Sequence, residues 1–420
     1  MKVLQPVWKK ANKKWKHPLH NMCSYLAMFP PALPNYFIEQ FTQEGDIVLD
    51  PFSGRGTVVL EAARRNRIAI GNDLNPMAVV LSKAKANVPT YESITRRLNK
   101  LKRNYTSVSI AEEPEDIKML YDLKVTLPQL CYLKANLNVH RSKVDNFIMG
   151  ALMGIMHGKH RKDGTSAYLS ISMPNTFSMS PNYVRNFIKD NHLVKIKQDV
   201  FQCLRDKIDS IYPNEGELRK GTQFYDNALN LSEKKYRQYK NSIKLIVTSP
   251  PYLKLINYGQ YNWIRLWLLD KNSREVDQTL RIDKAYNRSK GVELSDNLKL
   301  DQYLIFMQQL IQSWEQLLND DGLAVIVIGD VEVHGKKRDS YIELAELVWQ
   351  NVKDKTKLKL VKIISDNIDG NNKVTKIWGS ERKGEATKVD KLLILSKTGK
   401  APKPNINRKV QEHFTKIYKG

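Results

Sequence analysis

Cysteine is scarce in this sequence. Cys23, Cys131 and Cys203 are the only three in 420 residues, and none forms a Cys-x-x-Cys pair. That pattern excludes a disulfide framework and a zinc cluster, predicts no metal, and suits buried or inert thiols in a reducing, cytoplasmic compartment. Long hydrophobic runs are missing too. No stretch approaches the ~18 apolar residues of a spanning helix, so no membrane partner is expected. The N-terminal MKVLQPVWKKANKKWKH is basic but lacks the apolar centre of a secretory signal. No internal repeat or long low-complexity run interrupts the chain. Negative charge is also short, with 44 acidic against 68 basic residues and a net charge of +24. At 41% hydrophobic and 27% charged the chain reads as a folded globular protein. The basic surplus then favours a polyanionic partner, nucleic acid first and an anionic membrane surface second. Charge alone does not distinguish an enzyme from a coat protein.

Short β-branched runs bounded by turn residues predict strands over Ile47–Leu49, Arg67–Gly71, Lys244–Thr248, Leu323–Ile328, Lys359–Ile364 and Asp390–Ser396. Continuous apolar runs such as LAVIVIG and KLLIL are the mark of strands covered on both faces. Helical patterns over Gly56–Arg65 and Tyr303–Leu318 alternate with them, which predicts an α/β fold with a doubly wound, mostly parallel sheet. Two strands fall before residue 72 and the rest after about residue 220. The segment between opens on a basic helix over Ile94–Tyr105 and continues through turn-rich polar sequence that includes HGKHRKDG. A stretch that long is not a structureless loop inside a compact domain, so a large helical and irregular insertion is expected. The expected organisation is an N-terminal arm and cofactor-binding part over 1–90, the inserted subdomain over 91–220, the catalytic remainder over 221–400 and a basic tail over 401–420.

Two turns carry the chemistry. Asp50-Pro-Phe-Ser-Gly-Arg-Gly-Thr57 follows the first strand directly and opens a helix. Gly54 and Gly56 let the backbone approach a ligand at the carboxyl end of the strand, where nucleotide-like ligands bind in doubly wound sheets. The second strand ends in Gly71-Asn-Asp-Leu-Asn-Pro76, and Asp73 there can take both hydroxyls of a ribose. Read blandly, these are a tight strand-to-helix turn and an N-cap aspartate; the paired acid at this distance favours the cofactor reading. The other turn is Thr248-Ser-Pro-Pro-Tyr252, straight off the strand KLIVT. Consecutive prolines remove two N–H donors, so the turn presents carbonyl oxygens. Ser249 adds an acceptor and Tyr252 a flat face for a planar ring. Acceptors beneath a stacked ring can hold an exocyclic amino group. A bare Pro-Pro-Tyr is more often a structural turn, but here it ends a core strand of the sheet that holds the Gly-rich turn.

Together these turns resemble motifs I and IV of the amino-directed DNA methyltransferases, which methylate cytosine N4 or adenine N6 from S-adenosylmethionine. The Ser-Pro-Pro-Tyr form is the one most associated with the N4-cytosine enzymes. His17-Pro-Leu-His and Met28-Phe-Pro-Pro-Ala-Leu-Pro-Asn-Tyr-Phe37 resemble the motif X segment, Tyr225-Asp226-Asn-Ala-Leu the motif III turn, and Gly322–Asp330 the fifth strand. The resemblance implies a seven-stranded Rossmann-like methyltransferase sheet. It implies a cofactor held by Asp50, Phe52, Gly54, Gly56, Thr57, Asp73, Asp226 and Phe29, with Asp226 accepting from the adenine amino group. It implies catalysis by Ser249, Pro250, Pro251 and Tyr252 on a base flipped out of double-stranded DNA. Positioning would supply much of the acceleration, with no covalent intermediate. The chain has no Pro-Cys pair, which disfavours a C5-cytosine enzyme.

The motif order X, I, insertion, IV places target recognition largely between residues 90 and 220, with Lys271–Lys299 able to share the task. Only about two dozen residues follow the last strand, which leaves little for a C-terminal recognition domain. Lys159, His160, Arg161 and Lys162 are the candidate phosphate clamp, their histidines expected to be solvated or phosphate-facing rather than metal ligands. A charge run is equally often only a solvated face. Trp263 and Trp267 are expected in a helix core, and Asn257, Tyr258 and Tyr261 near the base pocket. A cognate restriction endonuclease acting on the same site is a further expected partner. An N6-adenine DNA methyltransferase shares every motif. An RNA amino-methyltransferase and a non-catalytic DNA-binding protein stay open as rivals.

Overall fold

The computed structural model describes residues 17–25, 30–174, 179–213, 218–232, 234–251, 258–280, 296–334, 339–367 and 389–405. At its centre is a seven-stranded sheet. The strands are β1 Ile47–Asp50, β2 Ile68–Asp73, β3 Thr222–Tyr225, β4 Ile243–Thr248, β5 Leu318–Gly329, β8 Lys359–Asn367 and β9 Val389–Ser396, with β6 Val331–His334 and β7 Asp339–Ile342 forming a separate hairpin. The spatial order is β3-β2-β1-β4-β5-β9-β8. The first five strands are parallel, while β9 runs antiparallel to both β5 and β8. This is the α/β, doubly wound, mostly parallel sheet expected from the apolar runs, in the seven-stranded Rossmann-like form that the resemblance implied.

Those runs are continuous because both faces are covered. On β5, Leu323, Val325 and Val327 join the core beneath α1 (Ala32–Phe41) and α2 (Thr57–Ala63). Their neighbours Ala324, Ile326 and Ile328 face the core of the helices Asp296–Trp314 and Leu344–Val352. Several element boundaries differ from the expected ones by a few residues, and two of the differences have a clear cause. The helix expected over Tyr303–Leu318 ends at Trp314, because Leu318 already opens β5 and pairs with Ile243. The basic helix α4 (Tyr91–Arg103) starts earlier than its apolar pattern, since the Thr90 hydroxyl caps it by accepting from Ser93 N at 3.3 Å.

The segment between β2 and β3 is more helical than its polar texture suggests. After α3 (Pro76–Ala86) and α4 come helices Thr126–Asn136, Lys143–Ile155, Pro181–Asp190 and Val200–Ile211. The helix Lys143–Ile155 is buried almost all round, so it carries little of the amphipathic contrast by which a surface helix is read. These helices do not build a core of their own. Their Leu130, Phe147, Leu152 and Leu204 share one apolar cluster with Met77 and Leu81 of α3, with Leu19 and Met22, and with Trp263, Ile264 and Trp267 from beyond β4. Trp263 and Trp267 are therefore helix core, as expected. Their indole N–H groups donate to Met179 O at 2.8 Å and Glu113 Oε2 at 2.7 Å, fastening that helix to the inserted segment. No described helix is long and apolar enough to cross a membrane.

Candidate active site

The parallel register brings four strand ends side by side: Asp226 after β3, Asp73 on β2, Asp50 on β1 and Ser249 after β4. The Gly-rich turn leaves β1 with Gly54 at φ 50° and Gly56 at φ 80°, left-handed values that glycine takes without a Cβ penalty. At Gly56 a Cβ would also lie 2.8 Å from Ser82 Cα, so α3 packs directly against the turn. Gly54 N–H donates to Asp73 Oδ2 at 2.8 Å, and Asn75 N–H donates to Asp73 Oδ1, also at 2.8 Å. Burial pushes the Asp73 carboxyl up to about 6 against those two bonds.

Asp50 is 1% exposed. Its Oδ1 accepts from Phe52 N at 3.1 Å and from Thr248 Oγ1 at 2.7 Å. Burial raises its carboxyl to about 7, with the Thr248 and Phe52 bonds opposing. Thr248 is the last residue of β4 and Ser249 opens the Pro-Pro turn, so one hydroxyl joins the end of β1, where the Gly-rich turn begins, to the start of the Pro-Pro turn. Phe52 leans on Phe306 with ring centroids 6.1 Å apart, and Thr57 Oγ1 accepts from Arg55 Nε at 3.3 Å. Ser249 is half-buried and Pro250 buried at the end of β4.

Asp226 stands beside Asp73, its N–H donating to Asp73 O at 3.1 Å. Its carboxylate already takes Asn227 N at 2.8 Å, Asn230 Nδ2 at 2.9 Å, the Tyr236 hydroxyl at 3.3 Å and the Lys235 ammonium. The structure thus gathers Asp50, Phe52, Gly54, Gly56, Thr57, Asp73, Asp226, Ser249, Pro250 and Pro251 at one end of the sheet. Tyr252, Phe29 and Asn257 lie outside the described residues.

Lys159, Arg161 and Lys162 lie apart from that row, on a tight exposed turn closed by Arg161 N to Thr165 O at 2.9 Å, with Gly164 at φ 82°. His157 corrects the expectation of a solvated or phosphate-facing ring, since it is fully buried. His160 is half-buried, with one ring nitrogen 2.8 Å from Ser170 O. The turn follows the helix Lys143–Ile155, whose Met153 carbonyl accepts from Arg265 Nε at 3.0 Å. Arg265, 1% exposed, also reaches Asn262 Oδ1 and Ser24 Oγ, both at 2.9 Å.

Tyr25 escaped the sequence reading. Its hydroxyl accepts from Asn75 Nδ2 at 2.9 Å, its ring stacks on Tyr258 at 5.7 Å and 26°, and its Cε1 lies 3.5 Å from where a Gly54 Cβ would be. One side chain therefore touches the Gly-rich turn, the end of β2 and the helix Tyr258–Tyr261. Only its position between the two blocks that resemble motif X, His17–His20 and Met28–Phe37, could have flagged it.

The sequence profile of a DNA methylase family matches residues 1–84 and 243–419, leaving out 85–242. The type II methyltransferase M.MvaI of Kocuria varians is 23% identical over 323 residues, covering 70% of this chain and 66% of that protein. M.BsoBI of Geobacillus stearothermophilus, another type II methyltransferase, is 26% identical over 321 residues, 68% of this chain and 60% of that protein. The chain thus spans less than two thirds of the length of either relative. An rRNA methyltransferase, aviRa of Streptomyces viridochromogenes, superposes over 94% of this chain and 92% of that chain at TM-score 0.32 and 7% identity, too distant to bear on substrate. With 261 of its 420 residues matched, in two blocks that carry both turns, the chain belongs to the DNA methylase family.

Proposed function

We propose that this chain is a site-specific DNA methyltransferase that moves a methyl group from S-adenosylmethionine to the exocyclic N4 of cytosine in duplex DNA. The observation that carries the reading is the 2.7 Å bond from Thr248 to Asp50, which sets an amino-group-accepting turn against a nucleoside-binding turn on adjacent strands. The residues suit that cofactor. Asp73, fixed by two backbone N–H groups, offers its carboxylate to ribose hydroxyls, and Asp226 one strand over would accept from the adenine amino group. The cofactor supplies a methyl group on a sulfonium.

Everything else falls to the protein. The Gly54–Gly56 backbone lets the ligand lie close above β1. Ser249 Oγ and the Pro250 carbonyl accept from the target amino group and aim its lone pair at the methyl carbon. Tyr252 gives the flipped ring a face to stack on. The methyl group that the bound cofactor would supply has to meet an amino group held by Ser249 and the Pro250 carbonyl, and that amino group would give up one proton to water. Holding donor and acceptor in line removes much of the entropic barrier. Lys159, Arg161 and Lys162, exposed on one turn with His160 beside them, would meet phosphates, since basic side chains neutralise the backbone of DNA. The inserted helices over 91–220 would carry target recognition. A bacterial cytoplasmic setting with a cognate restriction endonuclease goes with this reading.

Methylation-aware sequencing of DNA from cells expressing the protein tests the reading directly. N4-methylcytosine in a fixed sequence context is the expected result. N6-methyladenine there would reassign the base, and modified RNA with unmodified DNA would reassign the substrate. Neither modification, from folded protein, would leave only a non-catalytic binder.

A further inference from the structure

We propose that the helix Pro181–Asp190 lies in the major groove of duplex DNA and reads base edges there through Asn182, Arg185 and Asn186, with Lys189 on a flanking phosphate. The inference rests on the DNA methyltransferase reading above and adds which side chains of the inserted segment choose the sequence.

The helix has two unlike faces. Val184 is buried in the core shared by the inserted helices, and Ile188 packs against the same cluster. Tyr183 and Phe187, half-buried and one turn apart, stack at 6.2 Å and 11°. Asn182, Arg185, Asn186 and Lys189 are exposed. They stand three, four and seven residues from the first, a spacing that puts all four on one stripe. A stripe that only meets water is best filled by strong helix formers such as Glu, Gln and Lys, and asparagine twice on it costs helix stability. The stripe carries two cations and no acid, Asp190 closing the helix beyond it.

The chemistry of the stripe matches the edges of base pairs. Arginine donates a fork of N–H groups to guanine O6 and N7, and asparagine pairs with adenine N6 and N7. An α-helix about 10–12 Å across fits a major groove about 12 Å wide. From Asn182 to Lys189 the stripe runs about 10 Å, close to three base pairs. The placement suits the task as well. The Met179 carbonyl, two residues before the helix, accepts from Trp263 Nε1 at 2.8 Å, and Trp263 lies eleven residues beyond Tyr252 in sequence. The helix is therefore fastened to the stretch of chain that leaves the catalytic turn. The Arg185 guanidinium donates to Asp116 and to Asn182 and is 51% exposed. An ion pair that open to water contributes little, so Arg185 exchanges Asp116 for a base edge at small cost. The helix also falls within 85–242, outside the blocks shared with the family, where a feature peculiar to one target sequence is expected.

The test is methylation-aware sequencing of DNA from cells expressing the whole chain as wild type, Arg185→Ala, Arg185→Lys and Asn186→Ala. The expected result is a relaxed context at one position in each variant. Arg185→Ala loses the preference for one guanine and Asn186→Ala that for one adenine, each by about 5- to 150-fold. Arg185→Lys does not restore the guanine, because an ammonium lacks the two-pronged geometry. Thermal melting should match the wild type, and a variant that melts early is replaced by Asn182→Ala, read in the same way. The wild-type context kept in every variant overturns the proposal. A fall in overall modification without a change of context overturns it too, since it makes the stripe a phosphate contact or a prop. Wild-type protein that leaves DNA unmodified removes the DNA methyltransferase reading itself, a result seen before any variant is compared.

Discussion

Gly54 donates its backbone N–H to the Asp73 carboxylate at 2.8 Å, so the acid that ends β2 holds the Gly-rich turn of β1 in shape. The two residues are 19 apart in sequence, and between them they form the floor of the proposed nucleoside site. Removing the carboxylate therefore acts twice, on the ligand and on the turn.

Asp73→Asn should weaken binding of the cofactor or of S-adenosylhomocysteine by about 10- to 100-fold, the size of one or two hydrogen bonds to a charged group. The ionised carboxylate is the better acceptor for ribose hydroxyls, and its carboxyl is pushed up to about 6 by burial. Wild-type affinity should accordingly rise as pH is raised from 5 to 7, and Asp73→Asn should flatten that profile. Titration calorimetry at three pH values measures both; an equally steep profile in the variant would remove Asp73 from the site.

Asp50 should make the free protein less stable as pH rises. Its folded carboxyl is raised by burial to about 7, well above its ordinary value, so the folded state binds the extra proton. Stability from this group is full below about pH 4 and is lost as pH climbs through 7. Thermal melting from pH 5 to 8 should show a fall in the wild type that Asp50→Asn reduces. Thr248→Val takes away the opposing hydroxyl bond and should destabilise by about 1–3 kcal/mol.

Glu61 works in the opposite sense. Burial alone would raise its carboxyl, but Arg65, the bond from His20 and Arg64 outweigh it and bring it to about 2. His20 is lowered by burial to about 4 despite Glu61, so it sits there neutral at pH 7. Both folded values lie below the ordinary ones. Their stabilisation is complete near neutrality and fades as pH falls, for His20 from about 6.5 to 4 and for Glu61 from about 4.5 to 2. Glu61→Gln should cost about 1–3 kcal/mol at pH 7, because it removes the charged partner of Arg65 Nη1 and weakens the hold on Arg64 while Arg65 keeps Glu39, and the penalty should shrink on acidification. Urea unfolding at pH 7 and pH 4 checks the sign.

Replacing Lys159, Arg161 and Lys162 with alanine should weaken DNA binding and flatten its dependence on salt, by roughly 0.9 in the logarithmic slope for each phosphate no longer neutralised. Affinity for S-adenosylhomocysteine should stay as it was. An unchanged slope in fluorescence anisotropy would make this turn an ordinary solvated surface.

Tyr252→Ala should keep cofactor binding and abolish methyl transfer, since the ring is assigned to stacking the target base and not to the nucleoside of the cofactor. Full activity in single-turnover transfer would sink the assignment of the Ser-Pro-Pro-Tyr turn.

The strands of the sheet and both turns were legible because their signals are written in consecutive residues. LAVIVIG says that both faces are covered, Gly54 and Gly56 permit left-handed backbone, and Pro250-Pro251 withhold two donors. The short edge strand β3 was readable only through the turn that follows it, since TQFY is only partly buried and carries little apolar pattern. The burial of His157 and the bond of the His160 ring to Ser170 O were invisible in HGKHRKDG, where a polar string looks the same whether it faces water or its own backbone.

The sequence by itself determined the α/β architecture, the positions of the two turns and the excess of positive charge, because local propensity, apolar periodicity and composition suffice for each. Tertiary structure alone decided which charges are spent where. Thr248 meets Asp50 from 198 residues away, Arg265 meets Ser24 from 241, and Lys85 reaches the Arg55 carbonyl from 30. Those pairings arise from parallel strand register and from one helical core shared by α3, the inserted helices and the helix after β4. Contacts between residues so far apart in the chain are set by packing, and no local pattern encodes them.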